Sequence, residues 1–203
     1  VNSSLIRYIA LIILTLAASS ILHAYKIEYA EQFYGLYHQN LYQYPEDYQE
    51  NIWYLERALR SSFANPLNAL ADIENPREWE RYRTLFYMHL NLELVKQYRG
   101  LAAEYDKREA YFFNYPWKFA NLDSLDTAES CYRTALLYWE EALTWWAKLH
   151  TMPYVYLDEI EEWEDERLRI DRGELDFGEF IDLDLKRLER VRKAFEEMDR
   201  NTY

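Results

Sequence analysis

His89 and Glu93 stand four residues apart in a stretch without a helix breaker, so an imidazole and a carboxylate rise one turn apart on one face. Such a pair can share a divalent cation or simply touch at the surface. The four histidines, His23, His38, His89 and His150, form no HExxH or ExxH spacing, so the common helical zinc and di-iron ligand sets are incomplete. A surface contact is the expected role, and no metal is. Residues 173–180, GELDFGEF, look like the second half of a calcium-binding EF-hand loop. With Gly173 as the turn glycine and Glu179 as the last ligand, the first, third and fifth ligand positions fall on Leu168, Ile170 and Arg172. None offers a side-chain oxygen, so a glycine-ended helix followed by a new helix is expected instead. Acidic neighbours such as Glu140 and Glu141 point apart on a helix and make no dyad. There is no GxSxG and no phosphate-cradling glycine loop, and only 4 glycines are available to build one. No catalytic or cofactor-binding residue is expected, and the chain is expected not to be an enzyme.

The elements that carry these residues are helical by composition. Gly and Pro number only 4 and 5 in 203 residues, leaving few sharp turns, while Ala, Leu, Glu and Arg favour long helices. Half of the chain is apolar and 29% charged, the balance of a folded amphipathic protein rather than a disordered one. A formal charge of −13 with no cluster of Lys and Arg excludes a duplex-binding role, since counterion release needs such a cluster. The acid is concentrated late: residues 154–203 hold 17 acidic and 9 basic side chains. Within it, DEIEEWEDE (158–166) reads as a solvated helix face, with a site for a cation or a basic partner as the alternative. Cys131 is alone, which excludes an intramolecular disulfide and a cysteine metal site.

Leu5 to Leu22 is apolar apart from Arg7, and eighteen helical residues span roughly 27 Å, enough for a hydrocarbon layer. Residues 1–26 are therefore expected to anchor the chain in an inner membrane by a single pass, with residues 27–203 as a periplasmic helical domain, because Arg7 favours the cytoplasmic side. A cleaved secretory signal is the alternative, given Ala17, Ala18, Ser19 and Ser20 after the apolar run. Both place the body in one compartment.

In the body, helices are expected over 27–44, 48–63, 67–73, 76–98 with a continuation towards 111, 125–149, after Pro153 to Gly173, and 177–198. Asn75-Pro76 is a start signal, proline being tolerated in a first turn. The strongest pattern is Leu125, Ala128, Tyr132, Ala135, Trp139, Ala142, Trp146 and Leu149, spaced alternately by three and four. Small and large side chains alternate along this seam, so its helix is expected to be the central one, with Ala128, Tyr132, Ala135, Trp139, Ala142 and Trp146 in the core. The aromatic connection FFNYPWKFANLD (112–123) is expected either to fold back or to expose a contact surface. Tyr115, Trp117, Phe119 and, on the next helix, Trp145 are the candidates for touching a partner.

Ala128, Tyr132 and Ala135 have the spacing of a tetratricopeptide second helix, although no 34-residue period recurs, so the expected fold is all-α, of stacked antiparallel helices, degenerate tetratricopeptide-like. The N-terminal anchor resembles, together with SFANPLNALA (62–71), WERYRTLFYMHLNLELVKQY (79–98), YDKREAYFFNYPWK (105–118) and the acidic 158–180 region, a family of small spirochaete membrane proteins of the periplasmic flagellar motor. That resemblance implies a helical, tetratricopeptide-like component of the motor's collar acting through contacts with other motor or collar proteins; from the residues above, no cofactor, metal or nucleic acid is expected. Two other functions fit the residues: an envelope enzyme such as a cell-wall hydrolase using two carboxylates, or a module whose rings line a groove for peptide or glycan.

Overall fold

A computed structural model describes residues 26–199 of the protein, and among them the architecture is all-helical. Six α-helices follow in order: α1 (Ala30–Gln43), α2 (Tyr48–Arg60), α3 (Pro76–Tyr105), α4 (Lys118–Leu149), α5 (Glu161–Asp171) and α6 (Phe177–Glu197). Short 3-10 turns occupy Pro66–Asn68, Phe112–Trp117 and Asp158–Ile160. The one β-bridge among the described residues is a single parallel pairing of Tyr29 with Ser62. The expected anchor, residues 1–26 with its apolar run 5–22, lies outside the described residues but for Lys26. No helix among the described residues is long and apolar enough to cross a membrane.

Local chemistry sets the ends of these helices. Asn75 caps α3, its Oδ1 accepting from the backbone N–H groups of Arg77 at 3.0 Å and Glu78 at 3.1 Å, with Pro76 in the first turn. The α5–α6 junction explains the EF-hand imitation. Gly173 takes the left-handed conformation, φ +68°, and Glu174 N–H closes back on the Arg169 carbonyl at 2.8 Å. Asp176 Oδ1 then accepts from Glu179 N–H at 3.1 Å and caps α6. Glu179, the acid that resembles a final calcium ligand, thus stands in the first turn of a helix that Asp176 caps.

Helices α3 and α4 form an antiparallel pair. From one end to the other, Glu80 faces Lys148, Tyr87 stacks on Trp145 (4.6 Å between centroids), Tyr98 stacks on Tyr138 (5.5 Å), and Ser124 donates to the Tyr105 carbonyl. Helix α6 also runs antiparallel to α4, with Arg192 beside Glu129, Arg187 beside Tyr132 and Phe177 against Trp139, and it reaches α3 through the Asp184–Arg99 ion pair. Helices α1 and α2 make a second hairpin that lies against α3, and Tyr48 of α2 fills the space a side chain at Gly100 would need.

The central helix is α3, not the one carrying the clearest periodicity. It buries fifteen residues where α4 buries seven. Ala128, Tyr132, Ala135, Trp139 and Ala142 are buried, whereas Trp146 is half-buried and donates its indole N–H to Asp171 at 2.7 Å. A helix with partners on one side shows a clean stripe, while one surrounded on several sides does not. Other boundaries also moved. The expected helix over 67–73 is a single turn, Pro66–Asn68, and α4 begins at Lys118, inside the expected loop 112–123.

Candidate functional site

Two places on this scaffold carry more than packing. The first is the connection between α3 and α4. Tyr115 packs partly against the core, and Trp145 is half-buried under its stack with Tyr87. Trp117 and Phe119 remain outside, 62% and 78% exposed. Lys118, between them, reaches the other way: its ammonium donates to the carbonyls of Glu196 at 2.7 Å and Met198 at 3.0 Å, at the C-terminal end of α6. Ammonium on the last carbonyls of a helix is favourable for both dipole and hydrogen bonding. One side chain thus ties the connection down while its two neighbours present rings to solvent. The four candidates divide in two: Tyr115 and Trp145 pack, and Trp117 and Phe119 are free surface.

The second place is a buried polar cluster between α1, α3 and α5. His89 and Glu93 do not meet at the surface; they are 3% and 9% exposed. They face inward because Tyr82, Phe86, His89, Glu93 and Lys96 continue one stripe of three- and four-residue steps, apolar at its start and polar at its end. Glu166 of α5 completes the cluster at 4% exposure. His89 Nδ1 lies 2.7 Å from Glu166 Oε2, and its Nε2 lies 2.7 Å from the Tyr34 hydroxyl. A carboxylate only accepts, so Nδ1 carries a proton and donates. Lys96 bridges the two acids, donating to Glu93 Oε1 at 2.5 Å and Glu166 Oε1 at 3.2 Å. Tyr37 donates to the other Glu93 oxygen at 2.5 Å and is held by Gln97, which Asn51 and then Asn40 support in turn.

Burial penalises the charged form of Glu93, yet His89 and the Lys96 ammonium outweigh it and hold the carboxyl below its usual range. Burial likewise opposes charge on Lys96, but the two carboxylates win and push its pKa up. Burial, with Glu93 second, pushes the Tyr34 and Tyr37 hydroxyls well above the ordinary phenol. Next to the cluster, Arg81 and Glu164 form a second buried ion pair, with Arg81 Nε donating to Glu164 Oε1 at 2.5 Å and Arg167 taking the other oxygen at 2.8 Å. The acidic run 158–166 is therefore only in part a solvated face. Glu164 and Glu166, two residues apart, are drawn into the core by cations of α3, while Asp158, Glu159, Glu161, Glu162 and Asp165 stay exposed.

Sequence reasoning singled out His89 and Glu93 but missed Tyr34, Tyr37, Lys96 and Glu166. The signal was the stripe running from Tyr82 through His89 to Lys96, whose polar end shares a face with its apolar start. His89, Glu93 and Glu166 each place one ligand-type atom within 4.8 Å of the others, among the described residues.

A family profile described as a domain of unknown function, DUF8513, matches residues 77–198, which is α3 through α6. No curated protein and no solved structure matches the chain.

Proposed function

The chain belongs to the DUF8513 family, and we propose that it is a non-enzymatic assembly subunit acting through protein contacts. The reading includes a membrane anchor at residues 5–22, a periplasmic body of stacked, degenerate tetratricopeptide-like helices, and a place in the spirochaete flagellar collar, as the sequence resemblance implies. The observation that carries it is the anchored aromatic corner. Trp117 and Phe119 expose large apolar surface on a connection that Lys118 holds to the end of α6. Aromatic anchors held rigid before binding lose little entropy on binding and are characteristic of the energetic centre of interfaces. The hydrolase alternative finds its facing acids in Glu93 and Glu166, but these are buried and bridged by Lys96 rather than set in a cleft. The ring-lined groove finds less support, since Tyr115 and Trp145 turn towards the core.

The test is site-specific photocrosslinking in cells of the source organism. A crosslinking residue at Phe119 should capture flagellar-motor or neighbouring envelope proteins, and one at exposed Glu141 on α4 should not. Trp117→Ser with Phe119→Ser should abolish the capture and leave thermal stability within about 0.5 kcal/mol of the parent, as exposed substitutions do. Equal capture from both positions, or none from Phe119, would remove the corner as a contact site.

A further inference from the structure

We propose that His89, Glu93 and Glu166 form a binding site for a divalent metal ion of the zinc class, whose place the Lys96 ammonium now holds. This rests on the buried cluster alone and is independent of the aromatic corner.

Three observations point the same way. First, the donor set is one imidazole and two carboxylates, which suits a borderline ion such as Zn2+ better than Ca2+, which wants six to eight oxygens. The ligand atoms already lie within 4.8 Å of one another, and tetrahedral zinc with bonds near 2.0–2.2 Å needs them about 3.4 Å apart. Rotamer-scale movement closes that gap. Second, the site is already built to hold a cation. Two carboxylates converge on the Lys96 ammonium where His89, Glu93 and Glu166 side chains are 4%, 11% and 6% exposed. A divalent ion in place of the ammonium, with the imidazole neutral as ligation requires, brings the ligand set to zero. Lys96 is free to leave because its side chain is 41% exposed and reaches the acids from the surface.

Third, the outer groups suit ligation. A metal-bound histidine donates its other ring N–H to a polar partner, and Tyr34 sits 2.7 Å from His89 Nε2 to receive it. Metal at Nδ1 takes the place of the proton there, which passes to Nε2 of a neutral ring or to water from a charged one, and the Tyr34 hydroxyl accepts from Nε2–H. Tyr37 keeps its hydrogen bond to Glu93 Oε2 and so orients that carboxylate. The ammonium moves to water and the metal replaces it.

The experiment is calorimetric titration of the metal-stripped full chain with Zn2+, beside Lys96→Met, Glu166→Gln and the double variant Lys96→Met/Glu166→Gln. Wild type should bind one ion per chain. Lys96→Met, which removes the competing cation and keeps the aliphatic stem, should bind at least about tenfold more tightly, the lower end of what an outer-shell change contributes. Glu166→Gln should abolish the site in either background, and Co2+ in Lys96→Met should give the intense visible bands of a tetrahedral ion. Far-ultraviolet circular dichroism confirms that each variant is folded. If Glu166→Gln fails to fold, His89→Gln serves as the ligand knockout. No one-to-one binding by wild type and Lys96→Met, or binding that survives the ligand knockout, overturns the proposal. The second result marks ions held by surface carboxylates.

Discussion

Against α4, helix α3 stacks Tyr87 on Trp145 and Tyr98 on Tyr138, and Ala128, Ala135 and Ala142 of α4 are fully buried. Against α1 and α5, the same helix buries His89, Glu93, Arg81 and Gln97, each paired across the contact or within the helix. The apolar side is tolerant in kind but strict in volume, because close packing is felt at the level of a methylene. The polar side is strict in kind. Each partner left alone there costs the desolvation of a charge with nothing to offset it. The comparison teaches that this fold is specified twice, by shape on one face and by pairing on the other.

The sharpest way to break that contrast is Arg81→Met. Arg81 and Glu164 side chains are 3% and 5% exposed. Removing one member of a buried pair costs roughly 3–5 kcal/mol, and the lower end is expected because Arg167 still reaches Glu164. The double change Arg81→Met with Glu164→Leu should recover most of the loss, since an apolar pair of similar size leaves no orphan charge. Urea unfolding measures both. A double variant no better than the single one would mean that shape, not pairing, governs this face too.

Next in size is Ala135→Trp on the apolar side. Ala135 is fully buried, so the added ring has no space, and overpacking costs roughly 1–3 kcal/mol or more. Leu137→Trp, two residues on and 61% exposed, is the control and should leave the melting temperature unchanged. Equal effects at the two positions would dissolve the seam.

The same contrast explains what the residues revealed beforehand. The seam of α4 was legible because a helix with one buried stripe writes it as Leu125, Ala128, Tyr132 and Ala135 in three- and four-residue steps. The start of α3 was legible in Asn75-Pro76, and the α5–α6 junction in Gly173. The centrality of α3 was not. Its buried residues include Arg81, Thr84, His89, Asn91, Glu93 and Gln97, which break any apolar stripe. The partners of Arg81, His89 and Gln97 lie 83, 77 and 46 positions away in Glu164, Glu166 and Asn51, and no local pattern contains that distance. For the same reason Glu164 and Glu166 looked like part of a solvated acidic face. The exposure of Trp117 and Phe119 also depended on a distant contact, the reach of Lys118 to the end of α6.

The smallest effect sits where the two regimes meet. Tyr98 of α3 and Tyr138 of α4 stack at 5.5 Å, and both hydroxyls donate to Glu56 Oε1 of α2, at 2.9 and 3.0 Å. Tyr138→Phe keeps the ring and removes one donor, so it should cost about 1 kcal/mol near neutral pH, the net value of a partly buried hydrogen bond. Its pH dependence sharpens the test. Burial first, and Glu56 second, push the Tyr138 hydroxyl from 10.0 up to about 12. A group whose pKa is raised on folding contributes stability that is whole below its unfolded pKa and lost as pH rises through the folded one. The parent should therefore hold its advantage over Tyr138→Phe up to the unfolded value of 10.0 and lose it progressively towards about 12. Tyr34, Tyr37 and Tyr82 are also raised, but they are common to both proteins, so their contribution cancels in the difference. Urea unfolding of the two proteins side by side at neutral and alkaline pH reads that difference directly. A gap that stays constant through the alkaline range would show that the Tyr138 hydroxyl ionises as freely in the folded protein as in the unfolded chain.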